Sequence, residues 1–170
     1  LAFPAPSRTD DARIAADLIA GVASGLGGRF FDQLREQQSL AYTVSAFTAE
    51  WRNGGMFISY IATSPEKEET ARAGLLAEFA KLRDQPVSPA ELAQAKEYAI
   101  GTHAIRSQSG GVLLGALIDA RLFGRGLAEI GEHDARIRRV TAREMQELAN
   151  RYFVESELVQ SVVRGTGRRV

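Results

Sequence analysis

The chain contains no cysteine. That excludes disulfides, thiolate metal ligands and cysteine nucleophiles, and it is compatible with either a periplasmic or a cytoplasmic setting. Histidine is nearly as scarce, since His103 and His133 stand alone. A three-histidine metal centre is therefore impossible, and any zinc site built from this chain would depend on carboxylates. Charge of one sign is missing too: 21 Lys+Arg balance 21 Asp+Glu. Without a global field, or a basic block interleaved with aromatics, neither nucleic acid nor an anionic membrane surface is expected as a partner. No run approaches the roughly 20 apolar residues of a membrane-spanning helix, so a soluble chain is predicted. What is present is 170 residues, 45% of them hydrophobic and 25% charged, the profile of one globular domain, 1–170, with enough core to fold. The chain opens on Leu1 inside an apolar stretch, "LAFPAP", which predicts a fragment of a longer polypeptide.

Apolar residues at Ile14, Ala15, Leu18, Ile19 and Val22 have the three-four spacing of an amphipathic helix. That helix is predicted to end at Gly25-Leu26-Gly27-Gly28. A short helix follows from about Arg29 to Gln37, with Phe30, Phe31 and Leu34 as its apolar side. Alternation from Leu40 to Phe47, a turn at Asn53-Gly54-Gly55 and strand formers from Met56 to Ala62 predict a β-hairpin. Ser64-Pro65-Glu66 reads as a helix start. Ser88 with Glu91, and Thr141 with Glu144, fit the capping box. Gly110-Gly111 separates two helices, the second ending near Phe123, and Glu157 to Val163 reads as a closing strand. Adjacent strands joined by a hairpin favour an α+β fold, a two-layer arrangement with a mostly antiparallel sheet covered by helices on one face, over a doubly wound parallel sheet.

The glycine cluster "GLGGRF" follows a helix and lacks the Gly-Lys-Ser/Thr ending of a phosphate loop, so it reads as helix termination. "EIGEH", Glu129 to His133, matches the inverted zinc motif H-x-x-E-H at every fixed position but the first. Gly131 lies inside it, and a solvated loop or helix start is the simpler reading. His103 reads as a packed or surface residue, and no arrangement resembles a nucleophile elbow. Arg35 and Tyr42 stand seven apart in "LREQQSLAYTV". Separately they read as a helix-end cation and a strand ring. Together, a permanent multi-donor cation and a directional phenol donor could hold two oxygens of a peptide backbone or stabilise an oxyanion.

The stretch "GLGGRFFDQLREQQSLAYTVSAF" resembles the signature of the second, non-zinc half of pitrilysin-type (M16, inverzincin) metallopeptidases. That group includes insulin-degrading enzyme and the mitochondrial processing peptidases. The resemblance runs on through "SPAELAQAKEYAIG" to "VTAREMQELANRYF", although those later stretches are generic helical patterns. It implies homologous α+β halves facing one another across a closed chamber. One half carries H-x-x-E-H on its first helix, where zinc activates water and the glutamate acts as general base; the other lends an Arg/Tyr pair, here Arg35 and Tyr42, to the substrate backbone. The corresponding first helix, "DDARIAADLIAGVAS", has no histidine. The resemblance therefore implies a substrate-binding half with no metal of its own. Zinc is expected in a homologous partner domain or subunit, a peptide is the substrate, and a homo- or heterodimer is one form the assembly can take. Alone, this half is expected to cleave nothing. The alternative is a non-catalytic scaffold subunit of the same fold.

Overall fold

The computed structural model of the protein describes residues 1–24 and 27–165. Its elements are β1 (Ala2–Ala5), α1 (Arg13–Ser24), a π-helix (Phe31–Gln37), β2 (Thr43–Trp51), β3 (Gly54–Ala62), α2 (Glu68–Asp84), α3 (Pro89–Arg106), α4 (Gly110–Leu122), α5 (Ala128–Arg139) and α6 (Ala142–Tyr152), with short 3-10 turns at Pro65–Lys67 and Glu155–Glu157. The three strands form an antiparallel sheet in the order β1-β3-β2. This is the α+β architecture expected, with helices packed on one sheet face.

The buried set explains the layering. Along α1, Ile14, Ala15, Ala16, Leu18, Ile19, Ala20, Val22 and Ala23 are all buried, so this helix is enclosed by its neighbours rather than laid on the surface. Its small residues let the sheet and the other helices approach from several sides. Phe79 of α2 is the hub of an aromatic cluster, with Phe3, Phe153, Phe30 and Phe57 at ring-centroid distances of 4.9, 5.0, 5.5 and 5.7 Å. Mostly edge-to-face geometry suits the ring quadrupoles. The opposite sheet face carries Phe47, Trp51 and Tyr60, each about half exposed. The strand register places these three on one side, because Tyr60 pairs with Ser45, two residues from Phe47.

Both capping boxes form. The Glu91 N–H donates to Ser88 Oγ at 3.2 Å while the Ser88 N–H donates to the Glu91 carboxylate at 2.8 Å. Thr141 and Glu144 repeat the exchange at 3.2 and 2.6 Å. Other expectations are corrected. Ser64 makes no side-chain cap; a 3-10 turn intervenes and α2 starts at Glu68. The hairpin turns at Arg52-Asn53, since Trp51 already pairs with Gly54. Gly54 and Gly55 therefore belong to β3, and at Gly55 the demand is for space: a Cβ there would stand 2.2 Å from the Pro6 carbonyl oxygen. The expected closing strand is reduced to one bridge, Ala2 with Val159. Exposed Val162 and Val163 lack the neighbouring strand that a ladder requires. The glycine break after α1 falls partly outside the described residues, at 25 and 26; Gly27 has φ +72°.

Candidate functional site

The helix predicted from Arg29 to Gln37 is a π-helix, Phe31–Gln37, the wider winding that recurs at functional positions. Phe30 and Leu34 anchor it with no side-chain exposure. Gly74 of α2 lies against Leu34, where a Cβ would meet Leu34 Cδ2 at 2.7 Å, so the helix seats closely on α2. At its exit Ser39 takes φ 49°, a left-handed turn that costs a non-glycine residue energy. The turn is held by several bonds. The Leu40 N–H donates to the Leu34 carbonyl at 2.8 Å and the Ser39 N–H to that of Arg35 at 3.0 Å. Lys67 Nζ donates to the Ser39 carbonyl at 2.8 Å, and Thr63 Oγ1 to that of Leu40 at 2.6 Å.

This pinned exit brings Arg35 and Tyr42 together. The Arg35 guanidinium carbon lies 4.5 Å from the Phe31 ring centroid and 5.0 Å from that of Tyr42, within cation–π range of both rings. Stacking orients a planar cation while its edge N–H groups can still donate. Tyr42 is 83% exposed. Beside it a shallow, open depression of about 380 Å³ is lined by Ser39, Leu40, Ala41, Thr63 and Lys67 among others. The Tyr42 phenol thus borders a concave strip of surface at the start of β2, with the Arg35 guanidinium stacked on its ring.

A larger hollow, about 640 Å³, lies between α1, α2 and α3 and is lined by Arg29, Asp32, Glu78, Glu91 and Tyr98 among others. Arg29 Nε and Nη2 donate to the two Glu91 carboxylate oxygens at 2.6 and 3.0 Å. This bidentate contact holds the Glu91 carboxyl down at about 2. Glu78, 2% exposed, accepts from Lys81 Nζ at 2.5 Å.

The "EIGEH" segment is the start of α5, so Gly131 does not interrupt the helix. Glu129 is enclosed rather than solvated. Arg13 bonds it directly, and Arg125 Nε and Arg136 Nη1 stand 3.4 and 3.5 Å away. Engaged by three cations, it is unavailable to pair with His133. His133 instead faces His103 of α3, at 4.0 Å between ring centroids. Sequence spacing could not reveal this pairing, because the two residues come from separate helices. On α1 the residues do not fit a catalytic zinc: no histidine is present, and its one carboxylate, Asp17, accepts a bond from Thr48 Oγ1. Burial pushes the Asp17 pKa up.

Residues 1–98 match the model of the peptidase M16 inactive domain. The chain belongs to this family. An uncharacterised zinc protease of Streptomyces coelicolor is 23% identical over 150 residues, 88% of this chain and 33% of its own length. The M16 inactive domain described here thus spans about a third of that relative. Among solved structures, the inactive peptidase domain of a Bordetella parapertussis zinc protease superposes with a TM-score of 0.80 at 22% identity, covering 92% of this chain and 85% of that one. A Helicobacter pylori protease gives 0.80 at 16% identity, covering 92% and 38%. At these identities the superpositions establish the shared fold. In this M16 inactive domain Arg35 lies within the π-helix that follows the glycine-rich break, and Tyr42 lies between that helix and β2. Among the described residues of α1, no metal motif exists.

Proposed function

We propose that this M16 inactive domain is the substrate-positioning half of a zinc metallopeptidase, with the metal and the general base supplied by a homologous partner domain or subunit. In this reading Tyr42 donates a hydrogen bond to the carbonyl oxygen of the scissile peptide as it becomes an oxyanion. Arg35 holds a neighbouring backbone carbonyl. The observation that carries the reading is the contact between Arg35 and an 83% exposed Tyr42 at the pinned exit of the π-helix. A phenol so exposed contributes little to the core and is free to serve a ligand. The exposed aromatic face of the sheet, with Phe47, Trp51 and Tyr60, adds apolar surface for peptide side chains. Chamber closure by two such halves would exclude water from the peptide and strengthen these polar contacts.

The test is kinetic and uses the complete enzyme. Loss of one oxyanion donor typically lowers turnover by about 100- to 1000-fold. Tyr42→Phe and Arg35→Ala are expected to reduce kcat or kcat/KM on that scale for Tyr42, while zinc content and thermal stability stay at the parent values. Full activity in both variants refutes the assignment. A complete protein whose other half lacks H-x-x-E-H and binds no zinc points instead to a scaffold subunit.

A further inference from the structure

The chain has only two histidines, they sit on different helices, and the fold nevertheless sets their rings side by side. His103 lies in the last turn of α3 and His133 in α5. Their centroids are 4.0 Å apart at an interplanar angle of 45°. Asp134, the next residue of α5, places Oδ1 3.1 Å from His103 Nδ1. One ligand atom from each of the three lies within 4.8 Å of the others, and all three residues are half-buried. They lie on α3 and α5, whereas Arg35 lies on the π-helix and Tyr42 just before β2.

We propose that His103, His133 and Asp134 form a site for a divalent transition-metal ion, Zn²⁺ being the best fit, that ties α5 to α3 apart from the catalytic metal of the peptidase. The donor set, two imidazoles and one carboxylate, suits zinc and its neighbours and is poor for Mg²⁺ or Ca²⁺, which take oxygen ligands. Metal–ligand bonds of about 2.0–2.2 Å in a tetrahedron hold ligand atoms roughly 3.4 Å apart. Closing from a spread of at most 4.8 Å needs side-chain rotation alone, and the 32% and 47% exposure of the His103 and Asp134 side chains leaves room for it. Three protein ligands leave a fourth position for water. Arg13 and Arg136, whose charges are felt at His133, are both engaged by Glu129, which tempers their repulsion of a cation. The near motif "EIGEH" thus contributes its histidine to a metal site while its Glu129 serves the arginines.

The chain with its two histidines allows a direct test. Purified without an affinity tag and stripped with chelator, it should show two imidazole spin systems in a ¹H–¹³C correlation spectrum. Titration with zinc chloride is expected to shift both together and saturate at one equivalent, with no response to magnesium chloride. His103→Gln, His133→Gln and Asp134→Asn should each weaken zinc binding at least about 10-fold, with unchanged circular dichroism. Imidazole signals that stay in place, or only one that moves, overturn the proposal without any variant; so does zinc affinity retained in both histidine variants. Tyr42→Phe and Arg35→Ala should bind zinc here as the parent does, so the outcome is independent of the peptide-positioning role.

Discussion

Gly55→Ala separates space from backbone freedom as the reason for a glycine. Gly55 pairs with Ala5 across β1·β3 and with Glu50 across β2·β3. An added Cβ would stand 2.2 Å from the Pro6 carbonyl oxygen and 3.1 Å from that of Ala5, both backbone atoms that no rotamer change can move. Relief requires β1 to part from β3 by about 1 Å, judged from ordinary carbon–oxygen contact distances. Phe3, on the same short strand, would be drawn from its contacts with Phe79 and Phe153 at 4.9 and 5.3 Å. Overpacking of this kind costs about 3 kcal/mol. The lower entropy of an alanine in the unfolded chain offsets up to about 1 kcal/mol, leaving a net loss of about 2–3 kcal/mol. For a chain of this size that corresponds to a fall in Tm of roughly 5–10 °C. Gly54→Ala is the internal control, because nothing lies within 4 Å of its added Cβ and its φ is ordinary. It should stay within about 1 kcal/mol of the parent. Urea and thermal denaturation followed by circular dichroism measure both. Equal stability losses in the two variants would refute the steric reading.

Two further outcomes concern the core and the large hollow. Phe79→Ala removes the hub of the aromatic cluster, 2% exposed and in contact with four rings, and should cost about 4 kcal/mol in urea denaturation; a loss below about 1 kcal/mol would show that the cluster repacks freely. For Arg29→Ala the expected signature is in acid. The folded-state pKa of Glu91 is depressed from 4.5 to about 2, so its stabilisation is fully present above pH 4.5 and is lost as the pH falls towards 2. Asp17 and Glu50, whose carboxyl pKa values are raised by desolvation, shift the other way, so only the difference between variant and parent isolates Glu91. The variant should lose less stability than the parent across that window, and parallel stability–pH curves would rule out the Arg29–Glu91 coupling.

Features governed by near neighbours in sequence were legible without the structure. Ser88 with Glu91 and Thr141 with Glu144 declare helix starts because a cap needs only residues three apart and free backbone amides. The spacing of Ile14, Leu18 and Val22 declares a buried helix face for the same local reason. Arg35 and Tyr42 could be named as a pair because the turn between them is short, yet the π winding and the left-handed Ser39 that bring them into contact depend on Leu34 seating against Gly74 of a later helix. Gly55 was visible as a glycine, but the reason for it, the carbonyl of Pro6 just past β1, comes from far back in the chain. "EIGEH" read as a helix start, and α5 begins there; what its spacing could not show is that three arginines from α1, α5 and the turn before it claim Glu129 while α3 supplies the neighbour of His133. By itself, then, the sequence determined the hairpin, most of the helices, two capping boxes, the family signature and the absence of a zinc motif on the first helix, all set by backbone periodicity and short-range bonding. The meeting of His103 with His133, the caging of Glu129 and the reduction of the last strand to one bridge were decided by tertiary packing, because each requires groups that only the folded core brings within reach.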